Sequence, residues 1–361
     1  MRILFKQFLV LFILLISWNQ VSAQYGYFYD GKDYGSESAL SPINQILNGS
    51  FDMLQTVNYT NRINDLKLEK GFKSVFNSLV YPIKAINIIG WKKFVDSELV
   101  PFGFTKTNSQ WLPNYGLHLF GGGMEYARMT DYYKYHGLSN PRIWATLTSL
   151  TEQFINEAVE AQGSTKLRYS ITADFYFFNI PGIILFSFEP VQRFFSEKII
   201  IRSWLGQASL APQDFSLRNT GQYYSIKIKP KFAGNFSYLY YMGAGWLNGV
   251  GYEHNELTYS LTAGIKTEEV IVIDEKTDQE FIKATPSAGF FIDKNNSLLF
   301  SLVVATHKDY KENIKLDLYP GVLKINKVSF GLWASFSFKS QSYIGLTFKK
   351  VPGITKKYFW N

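Results

Sequence analysis

The chain has 361 residues, a formal charge of +8, no cysteine, and an aromatic content of 17% that includes 31 Phe and 24 Tyr. The lack of cysteine excludes disulfides, thiolate metal sites and anchoring through a lipidated N-terminal cysteine. Basic residues are dispersed and accompany no recognition motif, so nucleic acid is not expected as a partner; the surplus reads as a generic solvated surface or a match for anionic headgroups.

Residues 1–23 carry Arg2 and Lys6, an apolar stretch from Phe8 to Ile16, and Val21-Ser22-Ala23. This is the pattern of a secretory signal peptide cleaved near Ala23, with an apolar core too short to span a bilayer comfortably. Beyond it, no stretch approaches the roughly 18 continuous apolar residues of a membrane helix.

From 24 to 163 apolar residues recur at three and four, which predicts a helical N-terminal region, periplasmic or packed in a lumen. Tyr25 to Gly31 reads as an extended lead, and Ser41-Pro42 as an N-cap followed by a first-turn proline. Further helices are expected over 71–79, 82–91 and 115–133. A fourth, capped by Asn140 and opened by Pro141, should bury Ile143, Trp144, Leu147, Leu150, Phe154, Ala158 and Val159, with Gly163 as its stop.

From 164 to 361 the period falls to two. Strands are predicted near 167–176, 198–205, 221–232, 235–245, 257–267, 281–292, 297–307, 313–319, 327–338 and 341–349, with a short helical insert near 179–196. The glycine-rich run from Gly243 to Gly251 reads as a loop or a strand kink. Val328, Phe330, Leu332, Ala334, Phe336 and Phe338 alternate with Ser329, Gly331, Trp333, Ser335 and Ser337. Side chains on a strand alternate between faces, so Ser329, Gly331, Ser335 and Ser337 are expected inside and Phe330, Leu332, Phe336 and Phe338 against lipid. With the export signal and the aromatic content, this predicts a mainly β fold with α inserts: a small closed antiparallel outer-membrane β-barrel of about 8–10 strands after the helical region, in a Gram-negative envelope.

Within the predicted helix 115–133, His118 and Glu125 share a face; within the next, Glu152 and Asn156 do so, with Glu157 adjacent. Such groups suit acid/base work or an oxygen-rich site if they converge. The expectation is instead that they line the wet side of amphipathic helices. Gly121, Gly122 and Gly123 cost roughly 1 kcal/mol each in a helix, so close backbone packing is expected there. His118, His136, His254 and His307 form no metal-spaced pair, and no nucleophile elbow or phosphate loop is present, so no metal or cofactor is expected.

Trp111, Asn114, His118, Gly122, Tyr126-Ala127-Arg128, Asn156-Glu157, Asp174 and Asn179-Ile180-Pro181-Gly182 resemble the pattern of a family of exported Gram-negative envelope proteins of unknown function. The resemblance covers residues 111–190, and Leu119 stands where that family commonly has proline. It implies an outer-membrane barrel with helical inserts and supplies no activity. The expected role is structural, or in envelope transport or assembly, with outer-membrane lipid or lipopolysaccharide and an envelope protein as candidate partners. The alternatives are a barrel enzyme modifying envelope lipids, of lipid A acylase or phospholipase type, and a soluble periplasmic binding protein.

Overall fold

The computed structural model describes residues 26–358 except 57, 103–110, 162, 275–278, 309 and 340. The predicted signal segment lies outside the described residues. A helical N-terminal region is followed by a mostly antiparallel sheet of thirteen strands.

Pro42 opens helix α1 (Pro42–Ser50), and the Ser41 hydroxyl accepts the Asn44 amide at 3.2 Å, the capping bond the Ser-Pro pair predicts. Next come α2 (Leu68–Val80), short turns Pro82–Ile86 and Trp91–Phe94, a π-helical stretch Leu112–Gly121 running into α3 (Gly122–Tyr135), and α4 (Pro141–Glu160). Asn140 takes a left-handed φ of 54° before α4 without a side-chain capping bond, and Gly163, at φ 80°, lies past its end.

Two expectations fail here. The predicted stripe of helix α4 holds only in its second half: Ala158 and Val159 are buried and Leu150 and Phe154 half-buried, whereas Ile143, Trp144 and Leu147 are exposed. Thr148, Glu152, Asn156 and Glu157 are buried as well, so polar groups share the inner face. The expected strand near 167–176 is also helical. Tyr169–Ala173, a π-helical stretch Asp174–Asn179, α5 (Ile180–Leu185), Glu189–Arg193 and Phe194–Lys198 continue the helical region to residue 198. The aromatic run imitates strand composition, but Ile171 and Phe175 meet Val75 of α2 and Ala158 of α4, while Phe178 joins Ile86 and Phe94. Spacings of four and three decide that contact. The tight packing expected at the glycines is present: a side chain at Gly123 would strike the Phe186 ring and the Gly182 carbonyl, and one at Gly121 the Tyr224 ring.

The strands are β1 (Ile201–Ser203), β2 (Ser209–Ala211), β3 (Ser216–Arg218), β4 (Tyr224–Ile228), β5 (Phe236–Met242), β6 (Gly245–His254) and β7 (Leu257–Asp274). Then follow β8 (Gln279–Lys294), β9 (Ser297–Ala305), β10 (Ile314–Ile325), β11 (Val328–Phe336), β12 (Ser342–Phe348) and β13 (Val351–Tyr358). Thirteen exceeds the 8–10 expected. The glycine-rich run is strand β6, not a loop, and β13 extends the sheet beyond the last predicted strand.

The first four strands belong to one hairpin. Ile201–Ile226, Ser203–Tyr224, Ser209–Arg218 and Ala211–Ser216 keep a single register. Between them the amides of Trp204 and Gly206 donate to the carbonyls of Tyr223 and Gly221 at 2.7 and 2.8 Å. The leg 201–211 is bonded on its other side to β13, in parallel, through Ser209–Gly353 and Leu210–Ile354. At one end the hairpins close in two residues: Asn255-Glu256 and Asn295-Asn296 all have positive φ, the backbone of a mirror-image turn matched to strand twist.

Polarity is reversed across the sheet. One row along the hydrogen-bond direction reads Tyr238, Val250, Leu261, Phe290, Leu302, Leu316, Ala334, Ile344. It faces outward without a charge, and Leu261 is 68% exposed. The adjacent row reads Ser237, Gly251, Ser260, Phe291, Ser301, Asp317, Trp333, Gly345 and is buried except for the half-buried Ser237. On β11 the predicted alternation holds: Ser329, Gly331 and Ser335 are buried, and Phe330, Leu332 and Phe336 are on the other face. The buried face carries Lys227 against Asp293 and Lys266 against Glu312, each at 2.6 Å, around an aromatic cluster of Trp204, Tyr241, Phe291 and Tyr319. Helices cover the outer sector where Tyr224, Ile226, Tyr240, Met242 and Trp246 meet Met124, Met129 and Phe186, and elsewhere Phe51, Leu54 and Val159 pack on Leu217 and the short helix Gly35–Ser38 bonds Ser297 and Leu298 of β9.

Candidate functional site

A chamber of about 210 Å³ lies where the helices meet the sheet. Helix α4 brings Glu152, Gln153 and Asn156 to it, because residues three and four apart share a helix face. Two π-helical stretches supply the opposite side: His118 from Leu112–Gly121, and Asp174 and Asn179 from Asp174–Asn179. A π turn widens the helix and re-aims its side chains, and such turns concentrate at functional sites. Asp52, just past α1, and Gln222 and Tyr224 from the sheet complete the lining.

Burial pushes the His118 ring down to a pKa of about 4, against the opposing pull of Asn179 and Gln153, so it is neutral. Its Nε2 stands 3.9 Å from Asp174 Oδ1, too far for a direct hydrogen bond. Burial, then Glu98 and Glu160, push the Asp174 carboxyl well above the usual range, and burial, then Asp174, do the same to Glu157. Gln153 donates to Glu157 Oε1 at 3.0 Å. Asp52, which accepts from Asn156 at 3.3 Å, is raised by burial to about 7.

Glu152 receives amide donors from Gln45 at 2.6 Å and Gln222 at 3.0 Å, yet burial and then the charge of Glu125 lift it to about 8. Gln45 is oriented in turn by Arg128, whose Nη2 donates to its Oε1 at 2.6 Å. Arg128 also pairs with Glu125 at 2.6 Å.

Four of the five predicted site residues therefore converge. His118, Glu152 and Asn156 line the chamber, and Glu157 is joined to it through Gln153. Glu125 stands one relay away, through Arg128 and Gln45. The expectation that these groups sit on wet surfaces fails for all five: Glu125, Glu152, Asn156 and Glu157 are buried, and His118 is half-buried among them. Sequence reasoning missed Gln45, Asp52, Gln153, Gln222 and Tyr224 as site residues. Only Gln45, Asn48 and Asp52, at helical spacing, left a readable signal.

Among the described residues no three His, Asp or Glu side chains are placed to hold a metal ion. Two polar groups within the chamber's lining lack a partner: Asn179 Nδ2 and Tyr224 OH, both buried. The chamber can thus offer protons from carboxyls that stay neutral near pH 7, a neutral imidazole that can accept one, and two open hydrogen-bonding positions. No protein-family model matches the chain, and neither curated proteins nor solved structures give a match.

Proposed function

We propose that this chain is an outer-membrane protein of a Gram-negative envelope, exported by a signal peptide cleaved near Ala23 and folded as a closed β-barrel with a helical layer docked on one sector of its wall. The observation that carries the reading is the reversed polarity of the strands, with Leu261, Val250, Ile344 and Ile354 outward and Ser, Thr, Gly and paired charges inward. Hydrocarbon solvates the first set, and a sheet in hydrocarbon cannot leave an edge unpaired. Closure is supported by the leg 201–211, bonded to 216–226 on one side and to β13 on the other. Counting each hairpin leg once gives a ring of eleven staves. Phe236, Tyr252 and Tyr259 toward the short-turn end, and Phe338 and Tyr358 at the other, fit the aromatic girdles of a membrane barrel. A soluble binding protein would leave all of these side chains in water.

Trp204, Phe291, Trp333 and Tyr319 fill the interior, which favours a structural or assembly role over an open pore. The partners of the outer wall are then membrane lipids, lipopolysaccharide included. A second reading, an enzyme acting on envelope lipids, draws on the chamber: proton-holding carboxyls and a neutral His118 lie beside apolar Trp246, Val270 and Ile282 of the sheet. Outer-membrane fractionation and the mobility of unboiled against boiled protein on SDS gels test the barrel; equal mobility and a soluble fraction would refute it. Lipid profiles of cells carrying Asp174→Asn against wild type separate the two roles: unchanged lipids are expected for the structural role, and an accumulating precursor would establish the enzyme.

A further inference from the structure

A second cavity, of about 460 Å³, lies at the opposite end of the sheet from the two-residue turns and apart from the chamber. Arg62, Arg218, Lys311 and Lys357 face it, with Asp65, Asp214 and Glu312 as its acids. Glu312 is already committed to Lys266 at 2.6 Å. Arg62, Arg218 and Lys311 form no ion pair with the two remaining carboxylates, of which Asp65 is exposed and Asp214 accepts the Ser216 amide at 3.1 Å. The recorded hydrogen bonds of Arg218 and Lys311 go to neutral groups. Arg218 donates to Asn61 at 2.9 Å and to Ser216 at 3.2 Å, and Lys311 to the Tyr59 carbonyl.

The guanidinium of Arg218 is held 4.0 Å over the Tyr343 ring, which fixes its direction before any ligand arrives. Lys311 stands in the link between β9 and β10, where burial, then the charge of Arg218, hold its amine down at about 8. Like charges confined around one cavity destabilise each other unless an anion sits between them. Two guanidinium forks and the ammonium of Lys311, none of them in an ion pair among the described residues, match a dianion that accepts several hydrogen bonds at once.

We propose that this cavity binds a phosphate monoester, with Arg62, Arg218 and Lys311 as its ligands. The site is independent of the chamber and of the role proposed for the barrel. The test uses the full chain in zwitterionic detergent, titrated with inorganic phosphate, with glucose 6-phosphate, and with phosphatidic acid doped into the micelles; glucuronate is the monoanionic control. Saturable binding of a phosphate ester is expected, weakened about tenfold or more in Arg62→Gln/Lys311→Gln. Arg62 is exposed, so Arg62→Gln alone keeps the fold and should still weaken binding about threefold. Binding of glucose 6-phosphate points to a soluble ester and binding of phosphatidic acid alone to a lipid headgroup, and either supports the site. Absence of saturation with every phosphate probe, equal affinity in both variants, or glucuronate binding as tightly as the esters would overturn it.

Discussion

The buried face of the sheet and the chamber beside it both hold charged side chains away from water, and they solve the problem differently. Inside the sheet two carboxylates meet an ammonium, Lys227 donating to both oxygens of Asp293 at 2.6 and 2.7 Å and Lys266 to Glu312 at 2.6 Å, while Asp317 accepts from Gln207, Asn219 and Ser301. Inside the chamber Asp52, Glu152 and Asp174 lie beside a neutral histidine, and burial raises all three carboxyls. Without a bonded ammonium, these carboxyls retain protons instead. Paired charges hold a wall in place; retained protons can be exchanged with a ligand.

The comparison breaks most visibly at the wall. Lys266→Met would leave Glu312 buried without its ammonium partner and should cost about 3–5 kcal/mol. Replacing both, as Lys266→Met/Glu312→Leu, should recover most of that loss. Urea unfolding of protein refolded into lipid vesicles measures both. A double variant as unstable as the single one would mean that the pair does not act as a unit.

The outer face comes next in size. Leu261→Lys places an ammonium in the uncharged outward row and should cost about 2–4 kcal/mol if that row lies near the bilayer midplane. The expected sign is impaired assembly with loss of heat-modifiable mobility. Thr262→Ser, one residue along and buried, serves as the inward control and should assemble normally.

The chamber should respond to pH where the wall does not. Folded Glu152 and Asp52 keep their protons up to about 8 and about 7, whereas ordinary carboxyls release them near 4.5 and 3.8. Over those intervals the folded chain binds more protons than the unfolded one, so stability falls as pH rises. His118 acts in the opposite sense: its folded pKa of about 4 lies below 6.5, so its contribution grows between those values and is complete above them. The net expectation is a loss of about tenfold or more in the amide-exchange protection of α4 between pH 6.5 and 8, after correction for intrinsic exchange. Strand amides of β10 and β11 should not follow.

How much of this was legible in the sequence depends on which neighbour decides the fold. Alternation on β11 and β12 is a local property, so their faces could be read from Ser329, Gly331 and Phe330 alone. The helix at Tyr169–Asn179 could not, since its aromatic run favours strand and only packing on Val75, Ala158 and Ile86 makes it helical. The apolar stripe of α4 was read inward throughout; Ala158 and Val159 follow that reading, but Ile143, Trp144 and Leu147 are exposed. Strand β6 was hidden by its glycines, where a side chain would strike the neighbouring strand: the Leu261 carbonyl at Gly249, and the Ser237 and Ser260 hydroxyls at Gly251. The chamber was half legible: its α4 face follows from i, i+4 spacing, whereas Gln222 and Tyr224 arrive from the sheet, more than sixty positions further along.

The smallest effect is the sharpest probe of the proton-holding idea. In Glu152→Gln one oxygen remains to accept from Gln45, whose own carbonyl is fixed by Arg128. The new amide nitrogen then faces Gln222, which can turn its side chain to present an oxygen, since its recorded bond is the one it donates to Glu152 at 3.0 Å. No hydrogen bond need be lost, so the change should cost less than about 1 kcal/mol, and it should remove one proton from the pH dependence of α4 exchange. A carboxylate ionised in the folded state would behave otherwise, because neutralising it beside Gln45 and Gln222 would forfeit charge-assisted bonds and destabilise the helix at every pH above 5. A large loss of protection at pH 7 with the slope unchanged would therefore place Glu152 among the paired charges of the wall, not among the proton holders of the chamber.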